Sequence, residues 1–570
     1  MDVSAQQTAQ SFLRRCAAIH ETLVARVLRL EARGNDEETL RWLSLAAGAA
    51  WVAHPGRFAD ERLEAVALRA GQRLQPLPPV CAAQNDDPAV TQDGRRRVLH
   101  VATRVGETGG HARLIENWIK DDETSLHSLV LLAQGQTRFR AELAGLIAAN
   151  GGELIVVPAD DPLLDKARRL RRMAQAGYDC LVLHHHPDDV VPLVALATEN
   201  CPPVVVMNHA DHVFWLGMSV ADAVIDFRDF GARLSRERRG VRQSLMLPLP
   251  LDLTSPALDR TTARASLGVP AAEVMLLSIA ASYKYTPTKT HNFFRTLNKV
   301  LTDNPRARLY VVGVSESEFR SFGVPRHERI ELPGVLSDPR VYEAAADLYL
   351  ESFPFGSHTA LFETAARGVC PVLMYAPTSH TDRSNEVPLK GVIANAADEA
   401  DYVARVTALI DDPAARTKLG QTVARQIASF HGGNLRRANL QTIYKRLAGM
   451  THRPAPVPAQ ASAETEHDLH LAGFNNSCIK RAVLALVAAN ARDAPTIGEL
   501  FRLLTISLRT GDTRPTPSHV KGWLAILWHI VFPRRPRPGT RKSIRGSAMV
   551  PTTSAVPSVE ASSRTGSPKS

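Results

Sequence analysis

The period of the apolar positions changes several times along this chain of 570 residues, and the changes divide it into segments. Over residues 1–75, Phe12, Ile19, Leu23, Val27 and Leu30 recur at helical spacing, and residues 40–53 repeat the pattern, so the segment is predicted helical. It shows no repeat period and reads as a helical cap or partner-docking module. The polar, proline-rich stretch 76–96 reads as a linker. From residue 97, short apolar runs at 98–103, 126–132, 153–157, 180–183 and 204–207 alternate with helical patterns such as 139–149 and 164–174. That alternation predicts a doubly wound parallel sheet over 97–250. A second series begins at 274–280, continues through 308–313 and 347–350, and ends in helices, giving a second such domain over 251–450. The fold class is therefore α/β: two tandem Rossmann-like domains with a cleft between them. Residues 451–466 are expected to be a flexible linker and 467–512 a short helical segment. The basic tail, 513–570, is expected to be partly disordered.

The densest chemistry lies in 347–375, DLYLESFPFGSHTALFETAARGVCPVLMY. A short apolar run is followed by a turn containing Pro354 and Gly356. Ser357, His358 and Thr359 open a helix that Gly368 ends, and a further apolar run follows. The N–H groups of such a helix's first turn lack intrahelical partners, and the helix dipole favours anions there, phosphate above all. Tyr283 and Lys284 leave the end of the strand at 274–280, so Lys284 is expected to hang over the same sheet edge and neutralise a diphosphate. Glu363 can direct a carboxylate at ribose hydroxyls or stabilise the dipole of its own helix. His358 is a phosphate contact, a sugar contact or a surface residue.

The span 282–313 followed by 346–373 resembles the donor-binding half of glycosyltransferases with the GT-B fold, and within them the O-GlcNAc-transferase-like group, which includes bacterial protein and polysaccharide glycosyltransferases. The resemblance covers about residues 98–450. It implies that Lys284, beside Tyr283, meets the phosphates of a UDP-sugar. It also implies that the turn Gly356-Ser357-His358-Thr359 gives N–H groups to the diphosphate and that Glu363 serves the ribose. The activity it implies is transfer of a hexosyl or N-acetylhexosaminyl group to an acceptor hydroxyl or amide. Large retaining families of this fold carry a second glutamate eight residues before the helix glutamate. Phe355 stands there in this chain, which favours inversion. The tetratricopeptide array of the animal O-GlcNAc transferases has no counterpart, so their protein-substrate specificity is not implied.

For the acceptor side, Gly109 and Gly110 stand where backbone could approach a ligand, with His111 and Arg113 at the helix start; a plain tight turn fits the same residues. In MNHADHVFWLG, His209, Asp211 and His212 directly follow a buried strand. An inverting transfer needs one base for the acceptor proton. His209 is the first candidate, with Asp211 and His212 as alternates and a helix-capping polar loop as the ordinary reading. His184, His185 and His186 with Asp188 and Asp189 resemble a metal cluster, yet adjacent histidines on extended backbone face opposite ways. No metal and no cofactor beyond the donor are expected.

Charge modifies this picture only at the end of the chain. From Thr513 onward there are ten Lys or Arg and one acidic residue, so the remaining residues are close to neutral and a nucleic-acid-binding face is not expected. Within the tail, residues 519–538 carry two tryptophans and an arginine cluster around an apolar core too short to span a bilayer. They suit an interfacial helix on anionic lipid or a packed terminal helix. The six cysteines form no CxxC pair, in keeping with a reducing cytoplasm, and the N-terminal residues lack the pattern of a signal peptide. Two further readings remain open: a nucleotide-sugar epimerase of the same fold, and a non-catalytic nucleotide-sugar-binding scaffold.

Overall fold

The computed structural model describes residues 3–75, 94–106, 110–138, 141–251, 253, 258–288, 290–374, 384, 386–460 and 462–475. Strands β1 (Arg96–Ala102), β2 (Ser125–Leu131), β3 (Leu154–Val156), β4 (Cys180–His184), β5 (Val204–Met207), β6 (Ala223–Asp226) and β7 (Ser244–Met246) form one parallel sheet in the order β3-β2-β1-β4-β5-β6-β7. Strands β8 (Val274–Ile279), β9 (Ala307–Val312), β10 (Ile330–Gly334), β11 (Leu348–Leu350) and β12 (Cys370–Val372) form a second, in the order β10-β9-β8-β11-β12. The expected α/β class and tandem parallel sheets are present. The central strands are buried along their whole length, as strands covered by helices on both faces must be. Strands β6, β7 and β10 were not anticipated. The first two are only four and three residues long, and β10 is a half-exposed edge strand, so none leaves a clear apolar run.

Each sheet has one point where strand order reverses: between β1 and β4 in the first, between β8 and β11 in the second. Loops leaving adjacent strands in opposite directions open a crevice there, where ligands of doubly wound folds sit. The loop after β8 carries Lys284 and the loop after β11 carries Gly356, so the topology brings these two stretches together.

The N-terminal segment is not a separate cap. Its helices, α1 (Val3–Glu31), α2 (Asp36–Val52) and α3 (Glu61–Gln72), share one apolar core with the first sheet, in which Leu13, Val24, Leu43 and Val66 are buried with Leu99, Leu181 and Val194. The caps are ordinary: Asn35 accepts from the Glu38 N–H, and Asp60 from the N–H groups of Arg62 and Leu63. A polar tie is supplied by Glu64. Its buried carboxylate accepts the N–H groups of Gly217, Met218 and Ser219 at 2.8, 3.2 and 3.0 Å, together with the Ser219 hydroxyl.

Two expectations are corrected beyond residue 430. The helix Gly433–Ala448, assigned with the second domain, crosses back onto the first. Its Leu440, Ile443 and Leu447 enter the core with Val98, Val182 and Val205, the Trp118 indole N–H donates to the Tyr444 hydroxyl at 2.7 Å, and Arg436 pairs with Asp121. Residues 451–460, expected to be a flexible linker, run as a fixed strap over the first domain. His452 is buried between the Asp222 carboxylate (2.7 Å) and the Leu196 carbonyl (2.9 Å), and Val457 is buried in the main core. Proline favours an extended backbone whether or not it is docked, which is why composition misled here. The helix Glu466–Asn475 then packs on α1. Residues 76–93 of the expected linker, residues 476–512 and the basic tail 513–570 lie outside the described residues. Among the described residues no helix is long and apolar enough to cross a membrane.

Glu64→Ala would strand three buried N–H groups at once; a loss of about 2–4 kcal/mol in denaturant-unfolding stability is expected, with Glu64→Gln intermediate. Burial pushes His431 down to about 4, only partly opposed by the nearby Leu249 backbone. Above pH 6.5 neither state holds that proton; below it the unfolded chain binds one that the folded chain refuses, so stability falls from about pH 6.5 to about pH 4. The urea midpoint is therefore expected to be lower at pH 5 than at pH 7, and less so in His431→Gln.

Candidate active site

After β8 the chain makes a tight turn, Ser282–Tyr285. Tyr285 anchors it: the ring is fully buried against Phe293 and Phe294, and its hydroxyl meets Ser278 at 2.8 Å. The anchor leaves Tyr283 exposed and turns Lys284 toward the neighbouring loop, where its Nζ donates to the Gly356 carbonyl at 3.0 Å. The Phe355 N–H returns a bond to the Lys284 carbonyl at 3.4 Å, so the loops are tied in both directions.

The second loop is shaped by a residue the sequence reading passed over. Glu351, buried at the end of β11, accepts the Ser357 N–H at 2.6 Å, and the Ser352 hydroxyl donates to the Phe355 carbonyl at 2.8 Å. One of the N–H groups assigned to the diphosphate is therefore committed to a carboxylate. The helix His358–Ala366 opens next, its first internal bond running from the Leu361 N–H to the Ser357 carbonyl. The N–H groups of His358, Thr359 and Ala360 precede that bond and have no acceptor within the helix. These N–H groups point out of the helix start where an anion could be received, and Lys284 stands beside them. The acidic residue at the end of an apolar run was the available signal for Glu351: a charge adjoining a buried strand is usually there to hold something.

Glu363 is nearly buried, and its carboxylate lies 3.7 Å from Arg113. Arg113, an acceptor-side candidate on the helix Gly110–Asp121, thus meets a donor-side candidate across the cleft. Gly110 begins that helix; Gly109 and the side chain of His111 lie outside what is described.

The loop after β5 is held by a buried cation. Arg239, from the helix Asp229–Arg239, donates to the carbonyls of Ala210, Asp211 and Val213, and burial pushes its guanidinium down to about 10. The three base candidates on this loop part company. His209 turns inward: its ring stacks on Trp215 at 6.1 Å and lies 5.4 Å from His184, and both ring nitrogens are buried. Asp211 is corrected as a base candidate, since Arg228 takes both its carboxylate oxygens in a forked ion pair. His212 reaches the other domain, its ring 4.9 Å from that of Phe355. Burial pushes its pKa down; Asp211 opposes this, and the nearby charges of Arg228 and Lys284 add to it. His212 is therefore neutral near pH 7.

Arg228 was missed at the sequence level, as was Glu386. Arg228 follows β6 and also donates to Glu386 at 3.1 Å; Glu386 lies in turn 3.8 Å from His358 Nε2. Burial opposes the charge of Arg228, but Asp211 and Glu386 more than compensate and raise it above its ordinary value. A lone arginine after a strand gives no sequence signal, because its partners are 17 and 158 residues away.

The members of the histidine run make separate contacts. His184 bonds to His100, and His100 to His127, each at 3.0 Å inside the first sheet; His185 contacts the Leu216 carbonyl at 2.9 Å. Asp189 accepts from the Thr103 hydroxyl at 2.6 Å, and burial with the charge of Asp189 pushes Asp188 up to about 6. Among the described residues no cluster of three or more His, Cys, Asp or Glu is placed to hold a metal ion.

No family model matches the chain, and no curated protein matches it. Among solved structures, an O-GlcNAc transferase mutant from Thermobaculum terrenum is 17% identical with TM-score 0.45, the match covering 76% of this chain and 82% of that one. HepE from Anabaena, in complex with UDP and glucose, is 15% identical with TM-score 0.48, over 62% of this chain and all of the other. A glycosyltransferase from Rickettsia africae is 12% identical with TM-score 0.49, over 62% and 99%. At such identities and scores these likenesses bear on no residue's role.

Because Lys284 and His212 approach the same space from opposite domains, Lys284→Met is expected to raise the His212 pKa, read by NMR titration of the ring protons. An unchanged value would mean that the two do not face each other in solution.

Proposed function

We propose that this protein is a glycosyltransferase that uses a nucleotide-sugar, with UDP as the nucleotide, and inverts the anomeric centre. The observation that carries the reading is the Lys284 ammonium beside the opening turn of the helix His358–Ala366, at the strand-order reversal of the second sheet. A cation and converging N–H groups at that place suit a diphosphate, and the same groups stabilise it as it leaves. Tyr283, exposed at the mouth, and Glu363 are read as contacts to the nucleoside, with Arg113 drawing the acceptor side toward it.

Inversion needs a neutral base on the far side of the anomeric carbon. His212 is better supported than His209 in this role. It reaches the donor loops, it is neutral near pH 7, and Asp211 Oδ1 stands 3.7 Å from its Nδ1, where it can steady the imidazolium that forms. Phe355 at the position of the second glutamate of retaining families favours the same stereochemical outcome. In this reading the transferred group is hexosyl or N-acetylhexosaminyl, the acceptor is a hydroxyl or amide on a saccharide, lipid-linked saccharide or protein, and no cofactor or metal takes part. The neutral body and basic tail fit an enzyme of the cytoplasm that can rest on an anionic membrane face.

Calorimetry with UDP, GDP and ADP tests the donor site. Micromolar binding of UDP is expected, weakened at least tenfold in Lys284→Ala. A folded protein that binds none of the three would overturn the transferase reading.

A further inference from the structure

The helix start beside Lys284 faces a second cation that the donor reading leaves unused. Arg228 projects from the first domain, with only 8% of its side chain exposed, and meets carboxylates from both sides. Asp211, in its own domain, takes two of its N–H groups as a fork. Among the described contacts Glu386, from the second domain, accepts one N–H of Arg228 at 3.1 Å, and that same Glu386 oxygen lies 3.8 Å from His358 Nε2. The two contacts differ in kind. A forked Arg–carboxylate pair fixes the guanidinium plane, whereas a single bond can be exchanged without moving it. Glu386 is thus an anion lodged between a buried guanidinium and the first residue of the helix His358–Ala366. A phosphate oxygen seeks similar surroundings: a guanidinium held by a fork on one side and the imidazole of a helix's first residue on the other.

We propose that Arg228 is a phosphate-binding cation of the nucleotide site and that Glu386 is an internal anion holding its place until a diphosphate displaces it. This deepens the donor-site reading and rests on it. The asymmetry of the ion pairs gives the order of events. Asp211 keeps Arg228 aimed at the cleft, and the Glu386 carboxylate leaves Arg228 and His358 as the diphosphate arrives. No covalent bond changes; one anion replaces another. The exchange confers selectivity as well. A monophosphate must displace the carboxylate with one phosphate group, whereas a diphosphate has two with which to engage Lys284 and Arg228 together. The site should therefore favour nucleoside diphosphates over monophosphates by more than the contacts of Lys284 alone provide.

The test is calorimetric titration of the full chain with UDP, UMP and inorganic pyrophosphate. Glu386→Gln keeps the shape of the side chain and removes its charge. It is expected to tighten UDP and pyrophosphate at least fivefold while changing UMP less. Arg228→Met is expected to weaken UDP at least tenfold; because it orphans two carboxylates, the double variant Arg228→Met with Glu386→Gln is measured beside it. Unchanged or weaker UDP binding in Glu386→Gln would overturn the proposal: unchanged binding makes Glu386 a plain interdomain contact, and weaker binding makes it a direct ligand contact. These outcomes are separable from a failure of the donor reading. In that case Lys284→Ala and wild type would be alike in binding none of the three ligands, whereas here Lys284 still matters and only Glu386 does not.

Discussion

The constraint on which the rest of the site depends is the adjacency of β8 and β11. Parallel strands joined through helices can reverse their order only at a switch point, and there the outgoing loops diverge and leave a crevice. Residues more than 70 positions apart, Lys284 and Gly356, become neighbours because of it. Once adjacent, the loops are fixed by local chemistry. Tyr285 is driven inward by its apolar body, and Glu351 folds the approach to the helix by accepting a backbone N–H. The meeting of Lys284 with the helix start is thus a product of sheet order first and side-chain choice second.

What the sequence revealed follows from this division. The strand–turn–helix unit at 347–372 was legible because each part signals locally: an apolar run, a turn with proline and glycine, a polar opening to a helix. The pairing of Lys284 with that turn was legible because strand-end loops of doubly wound sheets share one edge. Arg228 and Glu386 were not, since each matters only through partners on other elements, and an isolated charge in a sequence is nearly always a solvated one. The same limit explains the divergence of His209, Asp211 and His212. They are near neighbours in the chain and face three different environments, an aromatic stack, a guanidinium and the opposite domain.

The misread strap at 451–460 has a different cause. Proline-rich, weakly apolar sequence specifies an extended backbone but not whether that backbone is docked. The deciding contacts, His452 on Asp222 and Val457 in the core, come from two isolated residues that form no periodic pattern. The N-terminal helices were recognised as helices, but their union with the first sheet depends on Glu64 meeting a row of N–H groups more than 150 residues away.

The return of the helix Gly433–Ala448 to the first domain has a mechanical consequence. The chain passes between the sheets once on leaving β7 and again at Gly432, so the domains are joined at two places. A body attached at one point can swivel in any direction; attached at two, it turns only about the line through them. Relative motion of the two domains is thereby more restricted than a single connection would leave it. The same double attachment makes the chain self-retaining. Cut once between the two sheets, it would leave a C-terminal piece that still grips the first domain through Tyr444 and Arg436 of its helix and His452 of the strap, so the halves would remain one particle.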